Sequence, residues 1–378
     1  MKVAVTTLAF CVAALLALGL VMLYSSMMIT SAGVHHLMKQ MVFCAIGLIV
    51  CVTATALDYQ LLKKLAWPAY GFALFLLALV FVPHIGHGIN GAHRWIGPGS
   101  IRFQPSEFAK IALIIVLAWY GDRYQRQIHT WKRGVMIPML IAGLMLGLIF
   151  VEPDRGQTIL LAAVTGAMLL TAGVRWRFML IPVFFGAAAL AFSLLHDSMR
   201  KGRISAWLHP EAHAQGAGLQ AQQAMIGFAN GGWFGVGLGN GLRKFGWLPE
   251  IQTDFIFANI GEELGLVASL LVVLAFVIIA ICGIYIALHS RDTFGLLLAS
   301  GVTFLICLQA VINIGVVTSA LPNKGLPLPF ISDGGSNLVA MLGCIGLLFS
   351  VARHAPAREK VSQPAKDHGD NPFAAKAA

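Results

Sequence analysis

Charge is what this sequence has least of. Only 11% of its 378 residues are Asp, Glu, Lys or Arg, while 58% are hydrophobic. Soluble domains carry about a quarter charged residues. A water-exposed globular surface is therefore excluded, and the chain reads as an integral membrane protein. Acids are scarcer than bases, 16 against 26, for a formal charge of +10. The bases lie in short loops and the tail, which fits membrane orientation and argues against nucleic-acid binding. The six cysteines all sit inside apolar runs without a C-x-x-C pair, so neither a disulfide framework nor a zinc site is implied. G-x-x-x-x-G-K-[ST], H-E-x-x-H and G-x-S-x-G are also absent, which removes the best sequence support for serine-nucleophile and zinc hydrolases. No repeat of transporter or solenoid type is visible.

What is present is a series of long apolar runs. Spans are expected near 3–25, 39–57, 66–83, 105–121, 134–151, 157–174, 177–195, 262–288, 293–318 and 334–353. The expected fold is thus an all-α integral membrane protein with ten transmembrane helices. One set of loops carries Lys63, Lys64, Arg123, Arg126, Lys132, Arg133, Arg175, Arg177 and Arg291, together with Lys2 and the tail cations. The positive-inside rule puts that set, and both termini, in the cytoplasm. A large extracytoplasmic loop, about 196–261, then separates spans seven and eight. Residues 1–353 form one membrane domain, and 354–378 is a polar tail expected to be disordered.

The stretch 231–265 departs most from its apolar surroundings. It reads GGWFGVGLGNGLRKFGWLPEIQTDFIFANIGEELG. Its glycines let backbone turn freely or approach a ligand closely. Asp254 is a carboxylate held against a membrane helix, which is unfavourable unless the group is paired, hydrated or used. It is the candidate reactive group. Arg243 and Lys244 are placed either to receive a phosphate or to anchor at the interface. Glu262 and Glu263 are expected to open span eight, where acids suit the helix dipole.

Three further outer segments carry charge. NGAHRWIGPGSIRFQPSEFAK contains Arg94 and then Pro105 at the start of span four, with Glu107 and Lys110 one turn apart on one face. They read either as part of a hydrated cavity or as an interfacial ion pair. In the short loop 152–157, Arg155 can bind a pyrophosphate-bearing ligand, or it can simply screen Asp154 as a helix cap. LPNKGLPLPFISDGGSN cannot be regular helix, because three prolines interrupt it. Irregular backbone at membrane depth needs protein or a watery cavity beside it. Lys324, Ser332 and Asp333 would face such a cavity. Gln309 and Asn313 put two amides on one stripe of span nine.

Together these segments resemble the SEDS family (shape, elongation, division and sporulation), over most of residues 1–353. The resemblance implies ten transmembrane helices and a peptidoglycan glycosyltransferase that polymerises lipid II at the outer face of the bacterial cytoplasmic (inner) membrane. It implies a class B penicillin-binding protein, a transpeptidase, as partner, with other divisome proteins and membrane lipid. The family's essential aspartate falls on Asp254, and its glutamate and lysine fall on Glu107 and Lys110. LPNKGLPLPF resembles the division branch more than the elongation branch, which implies a septal location. Where the family usually carries an aromatic, this chain has Asp333. The implied reaction joins an acceptor GlcNAc 4-hydroxyl to a donor MurNAc anomeric carbon, with inversion and loss of undecaprenyl pyrophosphate. Asp254 would be the base, or would hold a divalent cation (Mg or Mn). A cation, Arg243, Lys244 or Arg155 would meet the leaving group. No organic cofactor is expected. An elongation-type polymerase, a lipid II transporter and a noncatalytic scaffold for the transpeptidase remain alternatives.

Overall fold

The computed structural model describes residues 1–27, 33–82, 86–89, 92–97, 103–195, 198–209, 216, 218–245 and 251–355. Among them the chain is helical, apart from one strand pair and several turns. The helices are α1 (Lys2–Met27), α2 (Gly33–Ala56), α3 (Gln60–Leu79), α4 (Pro105–Arg123), α5 (Ile137–Val151), α6 (Arg155–Thr171), α7 (Trp176–Leu195), α8 (Ser198–Leu208), α9 (Leu219–Gly231), α10 (Ile256–Glu263), α11 (Gly265–Leu288), α12 (Thr293–Val317) and α13 (Gly335–Arg353). A π-helical turn, Lys132–Met136, leads into α5.

A helix stands at each of the ten expected spans. Eight are long and apolar enough to cross a membrane: α1, α2, α3, the segment Lys132–Val151, α7, α11, α12 and α13. The other two are α4, buried on most of its residues, and α6, buried on about half. Glu107 and Lys110 on α4 and Gln157 and Thr165 on α6 are buried against protein, so these helices need no uniformly apolar surface. α12 packs on α4, α6, α11 and α13, while α13 lies along α2 and α1 along α11. Close approach relies on small residues: a Cβ at Gly301 would stand 2.7 Å from Ile114 Cγ2 and from Met168 Sδ. α7 is mostly exposed, with Phe184, Phe185 and Phe192 all outward. The expected disordered tail, beyond its first two residues, lies outside the described residues, as do Trp247 and Pro249.

Two features differ from the sequence reading. β1 (Gly86–Ile89) pairs with β2 (Ala92–Ile96), antiparallel, with Gly86 opposite Ile96 and a bulge between His87 and Gly88. The chain then bridges Ile96 to Phe103, which delivers Gln104 as N-cap and Pro105 as first residue of α4. The second difference concerns Glu262 and Glu263. They close α10 instead of opening α11, because Leu264 separates the two helices and Gly265, the first residue of α11, takes φ +81°. At a helix C-terminus the dipole disfavours acids, so other groups must stabilise them.

Candidate active site at one end of the bundle

Asp254 lies in a run of turns, 251–255, just before α10. That run is fastened to the Pro-rich segment after α12. Ser332 Oγ donates to Thr253 O (2.5 Å), and Asp333 N donates to Gln252 O (2.9 Å). Asn313 Nδ2, on α12, donates to both Asp254 O (2.8 Å) and Leu326 O (2.7 Å). The Asp254 carboxylate rests over Gly325, where a Cβ would stand 2.5 Å from Oδ2. Gly325 is exposed and Asp254 half-buried. The carboxylate therefore reaches the surface at a point where the opposing chain carries no side chain. Gly156, in the first turn of α6, packs on Leu326, its virtual Cβ 3.2 Å from Cγ. Arg155 and Lys324 are sequence neighbours of these two contacts.

Beneath this surface runs a buried polar network. Lys110 Nζ and Glu107 Oε2 are 2.7 Å apart with side chains 0% and 1% exposed. Gln157 Nε2, on α6, donates to Glu107 Oε1 (3.0 Å), and Lys110 Nζ donates to Gln309 Oε1 (3.2 Å). Gln309 Nε2 then donates to Pro327 O (2.8 Å) and Asn337 Oδ1 (3.0 Å). Four helices thus reach the carbonyls of the Pro-rich segment that carries Gly325. Charges in an apolar interior persist only when paired and hydrogen-bonded in this way.

The turn between α5 and α6 is held by Arg94. Its Nε and Nη2 donate to Glu152 O (3.2 Å) and Pro153 O (2.7 Å), and Nη1 lies 3.7 Å from Asp154 Oδ2. Asp154 caps α6 by accepting from Gln157 N (3.2 Å). The Arg155 guanidinium sits 3.1 Å above the Phe150 ring centroid. Burial pushes the Glu152 carboxyl up to about 8; Asp154 adds to the shift and Arg94 opposes it. Asp333 Oδ2 lies 3.9 Å from His36 Nδ1. Burial raises the Asp333 carboxyl, while His36 and Lys39 pull it back.

Arg243 and Lys244 belong to a different cluster. Lys244 Nζ is 2.9 Å from Glu263 Oε1, and it also donates to Gly239 O (2.7 Å) and Ser25 Oγ (3.2 Å). Glu263 Oε2 accepts from Ser25 Oγ and from Gly239 N (3.1 Å). Glu262 accepts from Leu242 N (3.1 Å) and Arg243 N (3.2 Å), and Arg243 Nη1 donates to Gln223 Oε1 (2.6 Å). The glycine-rich run wraps the α10–α11 junction so tightly that a Cβ at Gly231 would strike Gly261 O and one at Gly235 (φ +81°) would strike Glu263 O. These glycines serve close approach of backbone to backbone.

The same order of segments defines a known family. A family model described as cell cycle protein, FtsW/RodA/SpoVE, matches residues 6–357. The chain belongs to this family. A relative from Trichlorobacter lovleyi, named probable peptidoglycan glycosyltransferase FtsW, is 39% identical over 346 residues, covering 90% of this chain and 91% of that one. One of the same name from Coxiella burnetii is 37% identical over 351 residues, covering 90% and 94%. Among solved structures, one described as "Structural coordination of polymerization and crosslinking by a peptidoglycan synthase complex" contains a chain that matches with TM-score 0.78 and 30% identity, over 92% of this chain and 96% of that one. The rod shape determining protein RodA of Thermus thermophilus matches with TM-score 0.70 and 28% identity, over 93% and 97%.

Within this FtsW/RodA/SpoVE fold, the structure gathers Asp254, Lys324, Ser332 and Asp333 on the 251–255 and 321–334 segments. Glu107 and Lys110 lie in the network below, and Arg94 and Arg155 lie at the start of α6. Gln157, Asn337 and Gln104 carry bonds that the sequence reading did not assign to them. Gln104 Nε2 donates to Asp154 Oδ2 (3.4 Å). Their signal was an isolated amide at the end of an apolar helix, which only tertiary contacts distinguish from a solvated one. Among the described residues no group of three or more His, Cys, Asp or Glu side chains converges as a metal site.

Proposed function

We propose that this protein is a peptidoglycan glycosyltransferase of the division type, which polymerises lipid II into glycan strands during septal wall synthesis. The observation that carries the site is the Asp254 carboxylate resting over the exposed backbone of Gly325 at one end of the bundle. The names of the relatives support the reaction class. The chain is read as a ten-span protein of the bacterial inner membrane, with both termini in the cytoplasm and the Asp254 end outside. α4 and α6 complete the count as interior spans. The match to a chain of a peptidoglycan synthase complex supports a class B penicillin-binding protein as partner.

In this reading Asp254 takes the proton of the acceptor GlcNAc 4-hydroxyl. The hydroxyl oxygen attacks the donor anomeric carbon from the face opposite the pyrophosphate. The bond from that carbon to the pyrophosphate oxygen breaks, and its electron pair leaves with undecaprenyl pyrophosphate. A positioned base of this kind contributes roughly 10²–10⁴ in rate. Lys324 and Arg155 flank the Gly325 contact and would stabilise the departing charge. Arg243 and Lys244 are already engaged by Glu262 and Glu263. A divalent cation held by Asp254 would draw its remaining ligands from pyrophosphate and water, as Mg²⁺ does with one carboxylate, and would neutralise leaving-group charge.

Asp254→Asn tests the assignment. Folded protein, checked by thermal melting, should make glycan from lipid II about 10²–10⁴ times more slowly in the presence of its transpeptidase. Wild-type chain lengths on a gel would end the catalytic reading of Asp254.

A further inference from the structure

The opposite end of the bundle holds a cavity that the reaction does not use. It has a volume of about 870 Å³ and lies between the first turns of α1 and the last turns of α2, α11 and α13. That size lies within the usual range for small-molecule sites. Lys2, His289 and Arg353 line it. No Asp or Glu lines it. Among the described residues, no carboxylate forms an ion pair with Lys2 or Arg353. The remaining wall mixes apolar side chains such as Leu288 and Phe349 with the hydroxyl-bearing Thr6, Thr55, Tyr285 and Ser290.

Two arguments decide what chemistry suits it. The first is charge. Two permanent cations without an acid favour an anion. The carbonyl ends of α2, α11 and α13 partly offset that preference, while the N-terminus of α1 adds to it. The second is the surroundings. Exposed apolar side chains run from the cavity along both bordering helices: Val3 and Phe10 on α1, and Ile281, Ile284 and Leu288 on α11. A free phosphate would make no use of those rows, whereas acyl chains would cover them. Basic pockets between helix ends at a membrane surface suit anionic headgroups for this reason. We propose that the cavity bounded by Lys2, His289 and Arg353 binds the headgroup phosphate of an anionic phospholipid of the surrounding bilayer, with the acyl chains along α1 and α11. Under the orientation given above, the lipid belongs to the cytoplasmic leaflet.

The test uses the full chain and phosphatidylglycerol as probe. Native mass spectrometry, with phosphatidylcholine as competitor, should find phosphatidylglycerol retained in preference on the wild type. Lys2→Gln combined with Arg353→Gln should reduce that retention about tenfold, and each single change should reduce it partly. Melting in phosphatidylcholine should stay unchanged, because both side chains are exposed. Arg126→Gln, at the same end but outside the cavity, should retain the lipid fully. Equal retention by the double variant, or no preference in the wild type, would overturn the proposal. Displacement of the lipid by millimolar inorganic phosphate would also overturn it, since the cavity would then take a soluble anion.

Discussion

Two buried ionic clusters, at the same end of this bundle, solve one electrostatic problem in different ways. Around Glu107 and Lys110 every polar partner of the pair is a side chain on another helix, Gln157 on α6 or Gln309 on α12. Around Glu262 and Glu263 the donors are largely backbone: Gly239 N, Leu242 N and Arg243 N, with Lys244 added. Backbone donors survive substitution of the residues that carry them, so the second cluster is locally buffered. The first is not, and it ends on Pro327 O, two residues beyond the glycine that faces Asp254. A disturbance in the first cluster therefore reaches the candidate site, while one in the second stays with the loop that wraps α10 and α11.

The strongest break of that comparison is Glu107→Gln. It strands the Lys110 ammonium, which is 0% exposed and keeps only Gln309. Losing one partner of a buried pair costs about 3–5 kcal/mol. The variant should melt far below the wild type and lose polymerase activity with it. Near-wild-type melting and turnover would mean that the network does not support the site.

Lys244→Met should do less. The ion pair and the Lys244 bonds to Gly239 O and Ser25 are lost, but Glu263 keeps Ser25 Oγ and Gly239 N as donors, so the cost should fall at the low end of the about 3–5 kcal/mol of a broken buried pair. Protein that still folds should polymerise lipid II at close to the wild-type rate. A well-folded but inactive Lys244→Met would reverse the contrast and return Lys244 to the pyrophosphate.

These clusters also show what sequence could and could not convey. Helix periods, Pro105 at a helix start and the i, i+3 spacing of Glu107 and Lys110 are local, and each appears in the structure where sequence put it. The glycine-rich run was ambiguous, because a glycine admits a ligand or a neighbouring backbone equally well. Only tertiary contact with Gly261 and Glu263 decides between them. Glu262 and Glu263 read as first-turn acids because only Leu264 separates α10 from α11, and a break at a leucine carries no hydropathy signal. The strands 86–89 and 92–96 are short and glycine-containing, so their sequence does not distinguish a strand pair from a loop. Gln309 and Asn313 were legible as amides in an apolar span, but their acceptors are carbonyls of a segment more than ten residues away.

Glu152 sharpens the comparison by pH. Its carboxyl is raised to about 8 from an ordinary 4.5, so between those values the folded chain holds a proton that the unfolded chain has released. Stability from this group is present below the ordinary value and falls as pH rises towards 8. Glu152→Gln keeps the neutral shape. It should melt like the wild type near pH 5 and higher than the wild type near pH 8.5. An unchanged difference across that range would mean that Glu152 is already ionised in the folded state.

The smallest effect is expected at Asp333, although the family resemblance leads one to expect an aromatic at that position. Its carboxylate has His36 at 3.9 Å, with side chains 24% and 50% exposed for Asp333 and His36. Pairs this open to water contribute about 0–1 kcal/mol. What fastens the segment is backbone and hydroxyl: Asp333 N to Gln252 O, and Ser332 Oγ to Thr253 O. Neither bond uses the Asp333 side chain. Asp333→Asn should therefore leave melting within a degree or two and lipid II turnover within about twofold. Ser332→Ala removes the bond to Thr253 O and also leaves Leu328 N without its 2.8 Å acceptor, so it should cost more than Asp333→Asn on both readouts. If Asp333→Asn instead lost turnover as deeply as Asp254→Asn, with melting intact, the catalytic carboxylate would be the one beside His36.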